Sequence, residues 1–156
     1  MMKLFDYETV LLYPIETVFQ HSVDLEHAPR WHPIFYHVEQ ITPGAIGLGT
    51  QWRKDYQFLG IRGAINLQIV EWQPYQTVCF QGSRIAGMIP NFIIHFKPVV
   101  GGTHIHYILQ PTVPRIMQLP MMLAGPFVGR RDLRHYFSEL DKQIAQAVKS
   151  PAMALT

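Results

Sequence analysis

The sequence predicts an α+β domain in which a seven-stranded antiparallel sheet curls around one long C-terminal helix. Three observations carry that expectation. Leu133, Phe137, Leu140, Ile144 and Val148 recur at steps of four, three, four and four, and with Tyr136 and Ala147 they form one apolar flank of a helix from Arg130 to Lys149. Between Tyr36 and Gln110 the apolar residues alternate with period two, in runs bounded by Gly and Pro. The connections between those runs are too short for crossovers, so neighbouring strands must be antiparallel.

The helix needs the sheet. Five buried apolar side chains contribute ~8–15 kcal/mol gross, at about 1.5–3 kcal/mol each. Fixing some twenty residues costs ~20–40 kcal/mol. A broad apolar layer must therefore lie under the helix, and the strands supply it. On the opposite flank stand Arg131, Arg134, Glu139, Lys142, Gln143 and Gln146. Asp132 early and Lys149 late suit the helix dipole, and Ser150-Pro151 ends the helix.

In chain order, Phe5 to Leu12 reads as a first strand, stopped by Tyr13-Pro14. Pro14 to Ser22 is a short helix with Ile15, Val18 and Phe19 as its stripe. Asp24 looks like the N-cap of a second short helix through Leu25, Ala28 and Trp31, closed by Pro33. In the second strand Tyr36, Val38 and Gln40 alternate with His37, Glu39 and Ile41. Further strands are expected at Thr50–Phe58, Ile61–Trp72, Thr77–Ser83, Asn91–Lys97 and Thr103–Gln110, with a hairpin turn at Gly101-Gly102. Residues 1–150 form one domain and 151–156 a tail.

Composition excludes several classes. The chain has 156 residues, is 48% hydrophobic and 15% charged, and carries a net charge of +2, so it fills a core and resembles no disordered segment. A broad basic footprint for nucleic acid is missing. The single cysteine, Cys79, allows no internal disulfide and fits a cytoplasmic setting. Met1 to Asp6 shows no signal-peptide apolar region, and the apolar tract Val113 to Val128 is interrupted by Pro114, Arg115, Gln118, Pro120 and Pro126, so no transmembrane segment is expected.

Several motifs in order carry a resemblance. They are the first strand running into Pro14-Ile15-Glu16-Thr17-Val18-Phe19, then Asp24 with Trp31-His32-Pro33, Gly47-Leu48-Gly49-Thr50-Gln51-Trp52, Glu71-Trp72-Gln73-Pro74 and Gly101-Gly102-Thr103. In that order they resemble the START-like (SRPBCC) helix-grip superfamily of polyketide cyclases/dehydrases, lipid-transport domains and pollen-allergen-like binders. The resemblance spans nearly the whole chain. It implies a cavity between sheet and helix, and it leaves function to be argued from the site.

A turn at Gly101-Gly102 would pair Phe96 with Tyr107 and Ile94 with Leu109. Phe92, Ile94, Phe96, Ile105, Tyr107 and Leu109 then face inward, joined by Val78, Phe80, Trp52, Tyr56 and Phe58. Either these side chains fill a solid core, or they line a hollow against the helix, as the resemblance implies. Lys54 is in phase with Trp52 and Tyr56, and Arg84 with Phe80. Either charge reaches solvent through a twist or anchors a ligand oxygen. Met117, Met121, Met122, Leu123 and Phe127 form a start of the helix packed on the core, a cavity rim, a dimer contact or a membrane-touching patch. The candidate ligand-binding set is therefore Trp31, Trp52, Lys54, Tyr56, Phe58, Phe80, Arg84, Phe92, Ile94, Phe96, Tyr107, Leu109, Met121 and Phe137.

Screening for chemistry assigns no catalytic residue, metal or cofactor. His104 and His106 share a strand face with His95 a strand away, but the expected register sets Lys97 opposite His106, and these two strands hold no carboxylate. Cys79 has no basic neighbour to activate it. Nucleophile elbow, phosphate loop, dinucleotide fingerprint and zinc-helix motif are all missing. The leading expectation is a binding or transport protein for a small hydrophobic or aromatic ligand or lipid. The alternatives are a polyketide cyclase/dehydratase-like enzyme using the same cavity and a stress-related interaction module. A homodimer is a further candidate assembly.

Overall fold

The computed structural model describes residues 3–29, 35–85 and 87–149, with backbone alone for Phe5, Phe58, Ala124, Gly125, Phe127 and Val128. Its elements run β1 (Phe5–Leu11), α1 (Ile15–Val23), β2 (Phe35–Gln40), β3 (Gln51–Phe58), β4 (Ile61–Gln73), β5 (Thr77–Gly82), β6 (Asn91–Val99), β7 (Gly102–Leu109) and α2 (Arg115–Lys149). Strands β2 to β7 form the expected meander. β1 pairs with β7, so the order across the sheet is β1-β7-β6-β5-β4-β3-β2, antiparallel throughout. The curved sheet and the long helix make the α+β architecture that the sequence predicts. Residues 24–28 make one helical turn, closed by the Ala28 amide on the Asp24 carbonyl at 2.9 Å. The rest of the expected second short helix, with Trp31 and Pro33, and the 151–156 tail lie outside the described residues.

The core is the contact between α2 and the inner sheet face. Leu133, Leu140 and Ile144 are fully buried with Ile69, Val78 and Ile105 in one cluster. Phe19 of α1 closes one end of it, edge-on to Phe96 at 5.1 Å and to Trp72 at 5.2 Å between ring centroids. Trp52 is buried beside Phe80 at 5.8 Å, and its indole nitrogen has no hydrogen-bond partner among the described residues.

Three expectations are corrected. The β6–β7 turn centres on Val100-Gly101, with Gly101 at φ 78°, because Val99 pairs with Gly102. The register therefore slides by two: Phe96 faces Ile105, Ile94 faces Tyr107 and Phe92 faces Leu109. An even shift leaves every side chain on its expected face. It also sets Lys97 opposite His104 and His95 opposite His106. The carboxylates missing from β6 and β7 arrive from β1: Asp6 hydrogen-bonds His106 at 2.9 Å, and Glu8 lies 3.4 Å from His104. The His106 hydrogen bond holds the Asp6 carboxyl below its ordinary pKa, against the opposing effect of burial. Among the described residues, no group of three or more His, Cys, Asp or Glu is placed to hold a metal.

The second correction concerns α2, which begins at Arg115, well before Arg130, and runs through Pro120 and Pro126. Each internal proline costs about 3 kcal/mol of helix propensity. The turns that follow are anchored by the buried flank, and propagation from an established helix is cheap. Third, Val148, expected on that flank, is exposed in the last turn. None of the described helices is long and apolar enough to cross a membrane.

Candidate functional site

The inner face is filled at the Phe19–Phe96 end and hollow at the other. There a pocket of about 210 Å³ lies between the sheet, the turn after α1 and the middle of α2. Its walls are Leu67, Phe80, Phe92, Ile94 and Tyr107 from consecutive strands, Phe35 and Val38 from β2, and Tyr136 from α2. Leu25, Glu26, Ala28 and Pro29 contribute from the turn, Ser22 from the end of α1 and His37 from β2, so the rim carries a carboxylate, an imidazole and a hydroxyl that donates to the Val18 carbonyl.

Strand phase explains how one cation enters this space. Trp52, Lys54 and Tyr56 alternate onto the same side of β3. Lys54 pairs with Val38 on one side and Ile65 on the other, so its strand partners offer no carboxylate; Glu26 lines the same pocket but forms no ion pair with it. It makes no hydrogen bond or ion pair with any described residue. Its Nζ stands 4.9 Å from the Phe35 ring centroid. Burial lowers its pKa from 10.5 to about 8. That difference of 2.5 corresponds to about 3 kcal/mol against the charged form, at about 1.4 kcal/mol per unit. A cation–π contact returns about 0.5–2 kcal/mol, so the ring does not offset the whole penalty. Two hydroxyls share the pocket. Tyr107 and Tyr136 are buried, and neither hydrogen-bonds a described residue. Burial raises both phenol pKa values, so both remain neutral donors at ordinary pH. A pocket with mostly apolar walls and three donors that bond no described residue can hold an apolar molecule by its oxygen atoms, with Glu26 and His37 as further polar groups on its lining.

Against that geometry the chain was compared with known proteins. No protein-family model matches it, and no curated protein sequence does. Solved structures do. Ara h 8.0201 superposes with TM-score 0.64 at 15% identity, covering 91% of this chain and 97% of that one. A START superfamily protein from Mycobacterium smegmatis gives TM-score 0.65 at 15% identity, covering 91% and 97%. The di-domain ARO/CYC StfQ from the steffimycin biosynthetic pathway gives 0.64 at 13% identity, covering 92% of this chain and 49% of that chain. The chain has the START-like helix-grip fold.

Within this START-like fold, the residues singled out from the sequence separate into groups. Lys54, Phe80, Phe92, Ile94 and Tyr107 line the pocket together. Trp52, Phe96, Leu109 and Phe137 are buried in the packed part of the interior, with Phe137 stacked on Tyr7 at 5.7 Å. Tyr56 lies edge-on to Phe35 at 6.4 Å, behind the pocket wall. Arg84 is exposed beyond the end of β5 and Met121 is half-buried in the first part of α2; neither lines the pocket. Trp31 and the Phe58 side chain lie outside the described residues.

The sequence-derived set omits the lining residues of α1 and the turn after it, Val38, His37 and Leu67, and two aromatic wall residues, Phe35 and Tyr136. Phe35 enters through a β-bulge: the register shifts between Phe35 and His37, which brings Phe35 into phase with Val38 and turns Tyr36 outward. Strict alternation had placed Tyr36 with Val38. Tyr136 was legible as part of the α2 flank, but nothing in the sequence distinguishes a tyrosine that packs from one whose hydroxyl meets a hollow.

Proposed function

We propose that the protein binds a small apolar or aromatic molecule bearing an anionic or strongly polarised oxygen, with the oxygen against Lys54 and the apolar body between Phe35, Phe80, Phe92 and Tyr107. The observation that carries this reading is the half-buried Lys54 side chain, which faces a largely apolar pocket and makes no ion pair with a described residue, the pocket's own carboxylate, Glu26, included. A ligand carboxylate, phenolate or carbonyl there recovers the penalty that Phe35 leaves, and Tyr107 or Tyr136 donates to it. Size supports a compact ligand. A cavity of about 150 Å³ accommodates benzene, and this one is about 210 Å³. The solved neighbours named for START and for an ARO/CYC support an apolar-ligand role by fold alone. The test is a thermal-shift panel of aromatic carboxylates, phenols, quinones and fatty acids on wild type and Lys54→Met. Oxygen-bearing aromatics should raise the wild-type midpoint and leave Lys54→Met unmoved. A panel with no effect on either sinks the reading.

A second reading rests on the same lysine. A pKa of about 8 leaves part of Lys54 neutral near pH 7–8, and so able to exchange a proton with a polarised carbonyl, as a cyclase or dehydratase of an aromatic substrate requires. Lys54, Tyr107 and Tyr136 are the positions to vary, since Tyr56 and Arg84 do not line the pocket, and turnover unchanged in all three variants excludes this chemistry. Whether the pocket or the surface acts is decided by filling the pocket, since an interaction module would keep its activity.

A further inference from the structure

The first turns of α2 present large apolar side chains to solvent. Ile116, Leu119, Met122 and Leu123 are 87%, 65%, 56% and 68% exposed, while Met117 and Met121 are half-buried. At about 100° per residue, Ile116, Leu119, Leu123, Arg130 and Arg134 fall within an arc of roughly 60°. One stripe therefore runs from apolar to basic along the helix, and Arg130, Arg131 and Arg134 line a shallow groove beside Pro126. Arg115, Arg130 and Arg134 are exposed and make no ion pair with a described residue. The sequence leading up to the groove is one-sided in charge, although Arg131 has the Asp132 carboxylate 3.8 Å away. No Asp or Glu occurs between Glu71 and Asp132, whereas Arg84, Lys97, Arg115, Arg130 and Arg131 do. Arg84 extends from the loop whose Gly87 lies against Pro114, next to the helix start.

We infer that the N-terminal half of α2 is a docking surface for an anionic lipid bilayer, with Ile116, Leu119 and Leu123 in the acyl boundary and the arginines among the headgroups. Interfacial helices bury an apolar face about 5–10 Å deep and draw on cationic flanks. Ile116 to Leu123 spans about 10 Å of helix axis at 1.5 Å per residue. A second copy meeting this stripe face to face brings the same arginines and, between residues 115 and 131, no carboxylate to receive them. The inference stands on the outer surface and does not depend on what the pocket holds.

The experiment is co-sedimentation of the full chain with phosphatidylcholine vesicles and with vesicles containing phosphatidylserine, alongside sedimentation velocity without lipid. Wild type should partition onto the anionic vesicles, less so as salt is raised, and weakly onto neutral ones. Arg130→Gln with Arg134→Gln should weaken binding roughly thirty-fold, at about fivefold per charge near an anionic surface. Leu119→Glu with Leu123→Glu should abolish it while the melting curve stays cooperative, since both positions are exposed. Equal partitioning of all variants, or none by wild type, overturns the inference. So does a wild-type dimer that the double Glu variant dissociates while vesicles retain neither protein, because a second copy then covers the stripe.

Discussion

Lys54 sets a measurable signature at the level of a single side chain. Its folded pKa of about 8 lies below the 10.5 of the free side chain. Between those values the unfolded chain binds the extra proton and the folded one does not, so stability rises with pH across that window. Below about pH 8 the full penalty applies. Lys54→Met should therefore stabilise the unliganded protein at pH 7 by up to about 3 kcal/mol. The gap between the two proteins should close as pH climbs from 8 towards 10.5, as paired denaturant titrations would show. A constant gap would mean the ammonium is solvated in the native state. Gly102 is a second sensitive point. A Cβ there would collide with the Leu11 carbonyl oxygen, where β1 pairs with β7. Backbone cannot step aside as a side-chain tip can, so Gly102→Ala should cost about 1–3 kcal/mol in the same titration. The alternation of β3 made Lys54 visible in the sequence. The collision at Gly102 was not visible, because it depends on which strand lies beside β7.

The elements differ in how much of their form is local. The C-terminal turns of α2 follow from apolar spacing alone, and the buried Leu133, Leu140 and Ile144 occupy the expected flank. The first half did not follow, since Pro120 and Pro126 argue locally against a helix. An exposed proline at helix position 120 forfeits propensity without core contacts to compensate. Pro120→Ala should raise stability by up to about 3 kcal/mol and increase helical circular dichroism. No gain would show that the helix is already strained elsewhere. In β2 the bulge decides which aromatic residue faces inward, Phe35 or Tyr36, and a bulge leaves no mark in a six-residue strand. The β6–β7 hairpin shows the converse. Its turn moved by one residue and its register by two, yet Phe92, Ile94, Phe96, Ile105, Tyr107 and Leu109 kept their face.

At the scale of the whole molecule, the proposed function requires that the hollow be spare volume. Val38→Phe places a larger ring into the pocket without displacing the packed end around Phe19 and Phe96. It should leave the unliganded melting temperature within a few degrees of wild type and abolish ligand-induced shifts. At a hundred times the dissociation constant a ligand adds about 2.7 kcal/mol to wild type. A variant that melts far lower would show instead that the space was already occupied by close packing.

Periodicity, turn residues and motif order by themselves determined the strand and helix sequence, the antiparallel meander, and which faces turn inward. They did so because burial acts on each element through its own repeat of 2.0 or 3.6 residues. Tertiary structure alone decided that β1 closes beside β7, that a bulge delivers Phe35, and that the interior is full at one end and hollow at the other. These depend on which side chains from distant segments reach the same space. A volume left between surfaces belongs to no single stretch of chain, so no local pattern records it.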